Sequence, residues 1–164
     1  MLVTTLASLI AAMLFLSAML YATISDLRTK RIPNWLILAL GIAYVPLAVA
    51  AGHTVTDMIL NLGAAALIFA VGFYCFAKGG VGGGDVKLAS VVVLWLGATL
   101  AVPYVLLTAI FGALFAVAAV IGIRVMAKRG VSGSSLREGG MPYGPGLACA
   151  ALLLFQVSPW ANAL

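Results

Sequence analysis

The chain has 164 residues, 65% hydrophobic and 8% charged, with a formal net charge of +5 and a mean hydropathy of +1.22. A water-soluble domain carries roughly a quarter charged residues, so the solvent for this surface must be lipid, and the expected class is an all-α, polytopic membrane protein. The positive charge does not mark a nucleic-acid binder: all nine Lys and Arg fall in three short clusters, Arg28 to Arg31, Lys78 to Lys87 and Arg124 to Arg137, with no basic face interleaved with aromatics.

A helix needs about 20 apolar residues to cross roughly 30 Å of hydrocarbon. Leu2 to Ile24 is the first such run. No basic region precedes it, which argues against a cleaved signal peptide, and its other end meets the basic stretch after Asp26. Between Arg31 and Lys78 lie 46 residues, enough for two crossings. Pro33 and Asn34 suit the start of the second helix. Gly52 to Asp57 has the turn and N-cap chemistry to end it and open a third, from about Asp57 to Ala77.

Between Lys87 and Arg124 lie 36 residues without a charge, too many for one span. They divide into a fourth and a fifth helix with a turn near Gly97 to Pro103. The stretch from Lys128 to Gly144 is rich in Gly and Ser and reads as a mobile loop. The run from about Gly146 to Val157 makes a sixth span.

Six spans put every Lys and Arg in loops one, three and five. The positive-inside rule then places those loops in the cytoplasm and the N-terminus outside, with the bilayer of the cell's inner membrane as the medium. Residues 1–164 read as one membrane-embedded domain without repeat or linker. Cys75 and Cys149 lie in apolar stretches away from any His partner, and no motif implies a metal or a cofactor. Nothing in the sequence indicates an oligomeric state.

Four acidic residues exist: Asp26, Asp57, Asp85 and Glu138. Asp57 falls on the outer side. Asp26 and Asp85 fall on the inner side, each at a helix end, where a carboxylate is costly unless solvated, paired or used. Before Asp85 runs Lys78-Gly-Gly-Val-Gly-Gly-Gly, a backbone free to approach another chain closely. It lacks the Lys-Ser or Lys-Thr ending of a phosphate loop. Two carboxyls brought together share a proton, so one can activate water while the other assists the carbonyl. Equally, Asp85 could cap the fourth helix and Asp26 could pair with Arg28 or Lys30 at the surface. Residue spacing alone leaves catalysis and capping open.

Asp26-Leu-Arg-Thr-Lys-Arg-Ile-Pro-Asn34 resembles the first aspartate motif of type IV prepilin peptidases. Gly82-Gly-Gly-Asp-Val-Lys-Leu88 resembles their GxGDxKL motif, and Met141-Pro-Tyr-Gly-Pro-Gly-Leu-Ala148 is similar to their late Pro-aromatic-Gly-Pro segment. The resemblance implies an aspartic endopeptidase with Asp26 and Asp85 as catalytic residues and prepilin or pseudopilin precursors as substrates. Gly82 and Gly84 would let the backbone approach the partner aspartate. Lys87 would tune or fix the loop, and Pro142, Tyr143, Gly144 and Pro145 would support the site. Longer members carry a zinc-binding cytoplasmic domain and also N-methylate the new terminus. Here Tyr21-Ala-Thr-Ile-Ser leads straight to Asp26, as in the short peptidases of tight-adherence (Flp-type) pili, and methyl transfer is not implied. A presenilin-like protease would place a Tyr-Asp pair at the first aspartate and a later Pro-Ala-Leu. A small transporter or scaffold would use its aspartates only to bind ions or cap helices.

Overall fold

The computed structural model describes residues 1–128 and 143–162. Pro142, and most of the Gly- and Ser-rich stretch expected between the fifth and sixth helices, lie outside the described residues. Helix α1 spans Leu2–Thr29, α2 Asn34–Ala50, α3 Val55–Ala77 and α4 Gly83–Leu96; a 3-10 turn, Ala98–Leu100, leads into α5, Ala101–Lys128, and α6 and α7 span Gly144–Phe155 and Pro159–Asn162. No strand occurs among the described residues.

The helix ends follow local chemistry. Nothing between Ser25 and Thr29 interrupts a helix, so α1 continues five residues past its expected end at Ile24 and takes Asp26 into its last turns. It stops at Lys30, whose left-handed backbone (φ 53°) returns its N–H to the Asp26 carbonyl. The chain then reverses, with Ser25 Oγ donating to the Arg31 carbonyl at 2.8 Å. Pro33, in extended conformation, is the N-cap of α2, one residue ahead of the helix proper. Thr54 caps α3: its hydroxyl oxygen accepts from the Asp57 N–H at 3.1 Å and donates to the Asp57 carboxylate at 2.6 Å. The sequence motif for this cap is a hydroxyl residue followed three positions later by an acid. Gly97 (φ 96°) breaks the long apolar run into α4 and α5, and Pro103 falls in the first turn of α5, where its missing N–H is harmless.

Among the described residues six apolar helices are present besides the short α7, and they differ in length. Three stretches of the described residues are long and apolar enough to cross a membrane: α1, α3 and Ala98–Gly122. The others have 17, 14 and 12 residues, or roughly 25, 21 and 18 Å at 1.5 Å per residue.

The short helices α4 and α6 occupy the interior. Leu88, Val92, Val93, Trp95 and Leu96 of α4 and Leu147, Ala148, Ala150, Ala151 and Phe155 of α6 are buried. Helix α3 packs on α4, α5 on α6, and α1 on both α2 and α6. The long helices turn Leu60, Leu67, Phe73, Leu106 and Ile110 outward, an arrangement that suits a hydrocarbon solvent.

The far end of α4 is held by an aromatic knot. Trp95 stacks on Trp160 at 5.2 Å and meets Phe15 at 5.8 Å and Tyr44 at 6.1 Å. Its indole N–H donates to the Leu40 carbonyl at 3.2 Å, and the Trp160 indole donates to the Trp95 carbonyl at 2.6 Å. Beside it, buried Asn61 donates to the Tyr44 hydroxyl at 3.0 Å and accepts from the Ala98 N–H at 2.8 Å, tying α3 to α2 and to the turn after α4.

Replacing Asn61 with Leu keeps the side-chain size and strands the Ala98 N–H in an apolar setting. A loss of about 1–3 kcal/mol is expected, read as a lowered Tm in detergent. An unchanged Tm would show that this bridge contributes nothing to stability.

Candidate active site

Asp26 lies near the end of α1 and is only 5% exposed, so it is not the solvent-exposed residue that the sequence left open. Its carboxylate accepts a hydrogen bond from the Gly144 N–H, Oδ2 to N 2.8 Å. Gly144 is the first residue of α6. Asp26 thus receives a backbone donor from the positive end of a helix, and Lys30 acts on it electrostatically. A Cβ on Gly144 would lie 2.7 Å from both Asp26 Cβ and Oδ2. The glycine that closes on the first aspartate comes from the late Pro-Tyr-Gly-Pro segment.

Asp85 is the third residue of α4, whose N-cap is Gly82 with no side-chain cap. It therefore does not serve as the N-cap residue. Its carboxylate sits against Gly82, where an added Cβ would meet Oδ2 at 2.7 Å. Gly84 instead faces Ile32, the buried residue ahead of Pro33. Burial first, and then the charge of Asp26, push the Asp85 carboxyl up to about 6.

The two aspartates line one cavity of about 620 Å³, together with Lys30, Asn34, Lys87, Tyr143 and the Gly79–Gly84 backbone. Five helix ends meet there: the C-terminal ends of α1 and α3 and the N-terminal ends of α2, α4 and α6. Lys87 Nζ donates to Asn34 Oδ1 at 3.0 Å. That bond ties the start of α4 to the start of α2 and gives both motif residues a positioning role. Tyr143 reaches the cavity, while Pro145 follows Gly144 in the buried first turn of α6. Asp57 caps α3 and does not line this cavity.

A mostly apolar cavity of about 510 Å³ adjoins the first and shares Asp85, Gly80, Val81 and Tyr143 with it. Tyr104 and Thr108 of α5 line it, and the sequence reading did not single them out. Two hydroxyl side chains four residues apart in an apolar span are a signal that could have found them. No group of three or more His, Cys, Asp or Glu that could hold a metal occurs among the described residues.

The pair is equipped for acid/base chemistry: two carboxyls line one cavity, and Asp26 is oriented there by a backbone donor. Comparison with known proteins bears on the same region. Residues 13–117 match the family model described as the type IV leader peptidase family, a range that includes both aspartates and ends before Tyr143. The chain is 27% identical over 153 residues to the prepilin leader peptidase/N-methyltransferase of Bacillus subtilis (strain 168). That alignment takes in 90% of this chain and 55% of the relative, so the chain spans about half of the relative's length. No solved structure matches at a significant level.

Because the Gly144 contact includes the Asp26 Cβ, next to the helix backbone, Gly144→Ala must push α6 away from α1. A loss of about 1–3 kcal/mol is expected, measured by thermal unfolding in detergent micelles. Wild-type stability in this variant would show that the contact is slack.

Proposed function

The chain belongs to the type IV leader peptidase family, and from that premise we propose that it is a membrane aspartic endopeptidase that uses Asp26 and Asp85 to remove the leader from prepilin and pseudopilin precursors. The observation that carries this reading is the cavity in which the two carboxyls meet. The chemistry follows from a shared proton. The ionised carboxylate takes a proton from a water molecule as its oxygen attacks the scissile carbonyl. The protonated carboxyl donates a hydrogen bond to the carbonyl oxygen and then helps transfer a proton to the departing amine. The tetrahedral intermediate collapses to a new carboxyl and a free amino terminus, with the pair returned to its starting charge. Raising the Asp85 carboxyl favours the singly protonated pair over one with two charges.

The basic loops gather around this cavity through Lys30, Arg31 and Lys87, which supports a cytoplasmic active site and an outward N-terminus in the inner membrane. A precursor with its leader in the cytoplasm and its apolar helix in the bilayer would present the bond between them at this depth. The run from Tyr21 straight to Asp26 resembles the short peptidases of Flp-type pili. Methyl transfer, which the name of the relative also states, is not part of this reading.

The test is processing of a prepilin precursor co-expressed with the chain in a host lacking its own leader peptidase. Asp26→Asn and Asp85→Asn keep the side-chain shape and remove the acid/base function, so each should lower the cleavage rate by about 10²-fold or more. Full processing by either variant would overturn the assignment. Gly82→Ala presses only on the free end of the Asp85 side chain; it should slow cleavage while leaving Tm near wild type.

The sign of the pH dependence follows from Asp85. Its proton is bound below about 6 and lost above it, so kcat/KM should decline as pH rises through that value. A profile that stays flat as pH rises through that value would exclude a shared proton.

A further inference from the structure

The apolar cavity beside Asp85 is formed where α3 packs on α4 and α5 on α6, with little direct contact between α3 and α5. Its wall is built of small and apolar residues, among them Gly72, Ala89, Ala109 and Gly112. A lipid tail would fit that wall. It would not fit two further groups there: the Tyr104 hydroxyl and Thr108 Oγ1, both buried and without a well-formed hydrogen-bond partner in the structure. Tyr104 is 1% exposed, and the two hydroxyls lie one turn apart on α5, close enough to act on each other although neither completes a hydrogen bond of good geometry. Buried polar groups left unpaired are unfavourable and need a partner.

A peptide being cut has the complementary need. To bring a bond to Asp26 and Asp85, the residues around it must leave the helix, and at membrane depth their backbone N–H and C=O groups then lack partners. The two cavities also differ in character. The one with Lys30, Lys87 and Asn34 is polar, the one with Tyr104 is apolar, and Asp85 lines both.

We propose that the cleft between α3 and α5 seats the apolar residues that follow the cleaved bond, in extended form, with the Tyr104 and Thr108 hydroxyls hydrogen-bonding their unpaired backbone groups. The leader then lies in the polar cavity, which fixes the direction of the substrate across the aspartates. This inference rests on the peptidase reading. It adds two binding residues outside the aspartate motifs.

The experiment compares Tyr104→Phe, Thr108→Val and the double variant with wild type, in cleavage of the same precursor by the purified protein in detergent over a range of precursor concentrations, and in Tm. Each change removes a hydroxyl and keeps the shape. Losing a hydrogen bond that is made to the substrate throughout the reaction raises KM and leaves kcat nearly unchanged. Each single variant should raise KM by roughly three- to tenfold. Because the hydroxyls have no well-formed partner in the free protein, Tm should stay level or rise. Unchanged KM in the double variant overturns the proposal, and so does a raised KM accompanied by a lowered Tm, which marks a structural role. If wild type itself leaves the precursor uncut, the peptidase reading fails and this inference fails with it. If wild type cuts and the double variant cuts equally well, only this inference fails.

Discussion

The structure turns on how two carboxylates are kept at a depth where charge is expensive. Each is placed at the N-terminal end of a short helix: Asp26 against the first N–H of α6, Asp85 in the first turn of α4. The aligned peptide dipoles leave partial positive charge at those ends. A helix too short to cross the bilayer can end inside the protein, and that is where its positive end is wanted. The 14- and 12-residue lengths of α4 and α6 are thus part of the site rather than failed spans.

The rest of the molecule serves to hold those two helices. Long helices α1, α3 and α5 form the wall, showing apolar side chains outward; α3 and α5 bury little of their own surface, while α1 also gives one face to the core. The aromatic knot of Trp95, Trp160, Phe15 and Tyr44 fixes the far end of α4, two to three turns from Asp85. At the near end, the Lys87 to Asn34 bond and the contact of Ile32 with Gly84 set its position against α2. With both ends pinned, the loop Gly79–Gly82 can carry Val81 as its one side chain without leaving Asp85 loose.

The close packing at Gly144 shows how narrow the tolerance is. One methyl there would collide with the side chain that the same residue's N–H must reach. Donor and acceptor can meet only because nothing stands between them. Gly82 meets Asp85 with the same proximity but touches only its flexible end, so the two glycines constrain different things: one the spacing of helices, the other the aim of a carboxylate.

Composition and charge position alone determined that the chain is helical, that lipid is its solvent, and that its basic loops fall in three clusters. These follow from the cost of exposing apolar surface to water and of burying charge, and both are written residue by residue. The turn and cap between Gly52 and Asp57 and the break near Gly97 rest on neighbours within a few positions, so they too were largely legible, whereas α1 ran on past Ile24 to Lys30 because no residue there stops a helix. Asp26 and Asp85 stood out because few acids exist; whether they cap or react did not, since that depends on what lies across space. Tertiary structure decided that Asp26 is buried against Gly144, 118 residues away in sequence. It also decided that Lys87 holds Asn34, that α4 and α6 are interior, and that Tyr104 and Thr108 line a cleft beside Asp85. Such pairings carry no local signal, because they arise from which helix faces meet, and that is settled only when the whole chain packs.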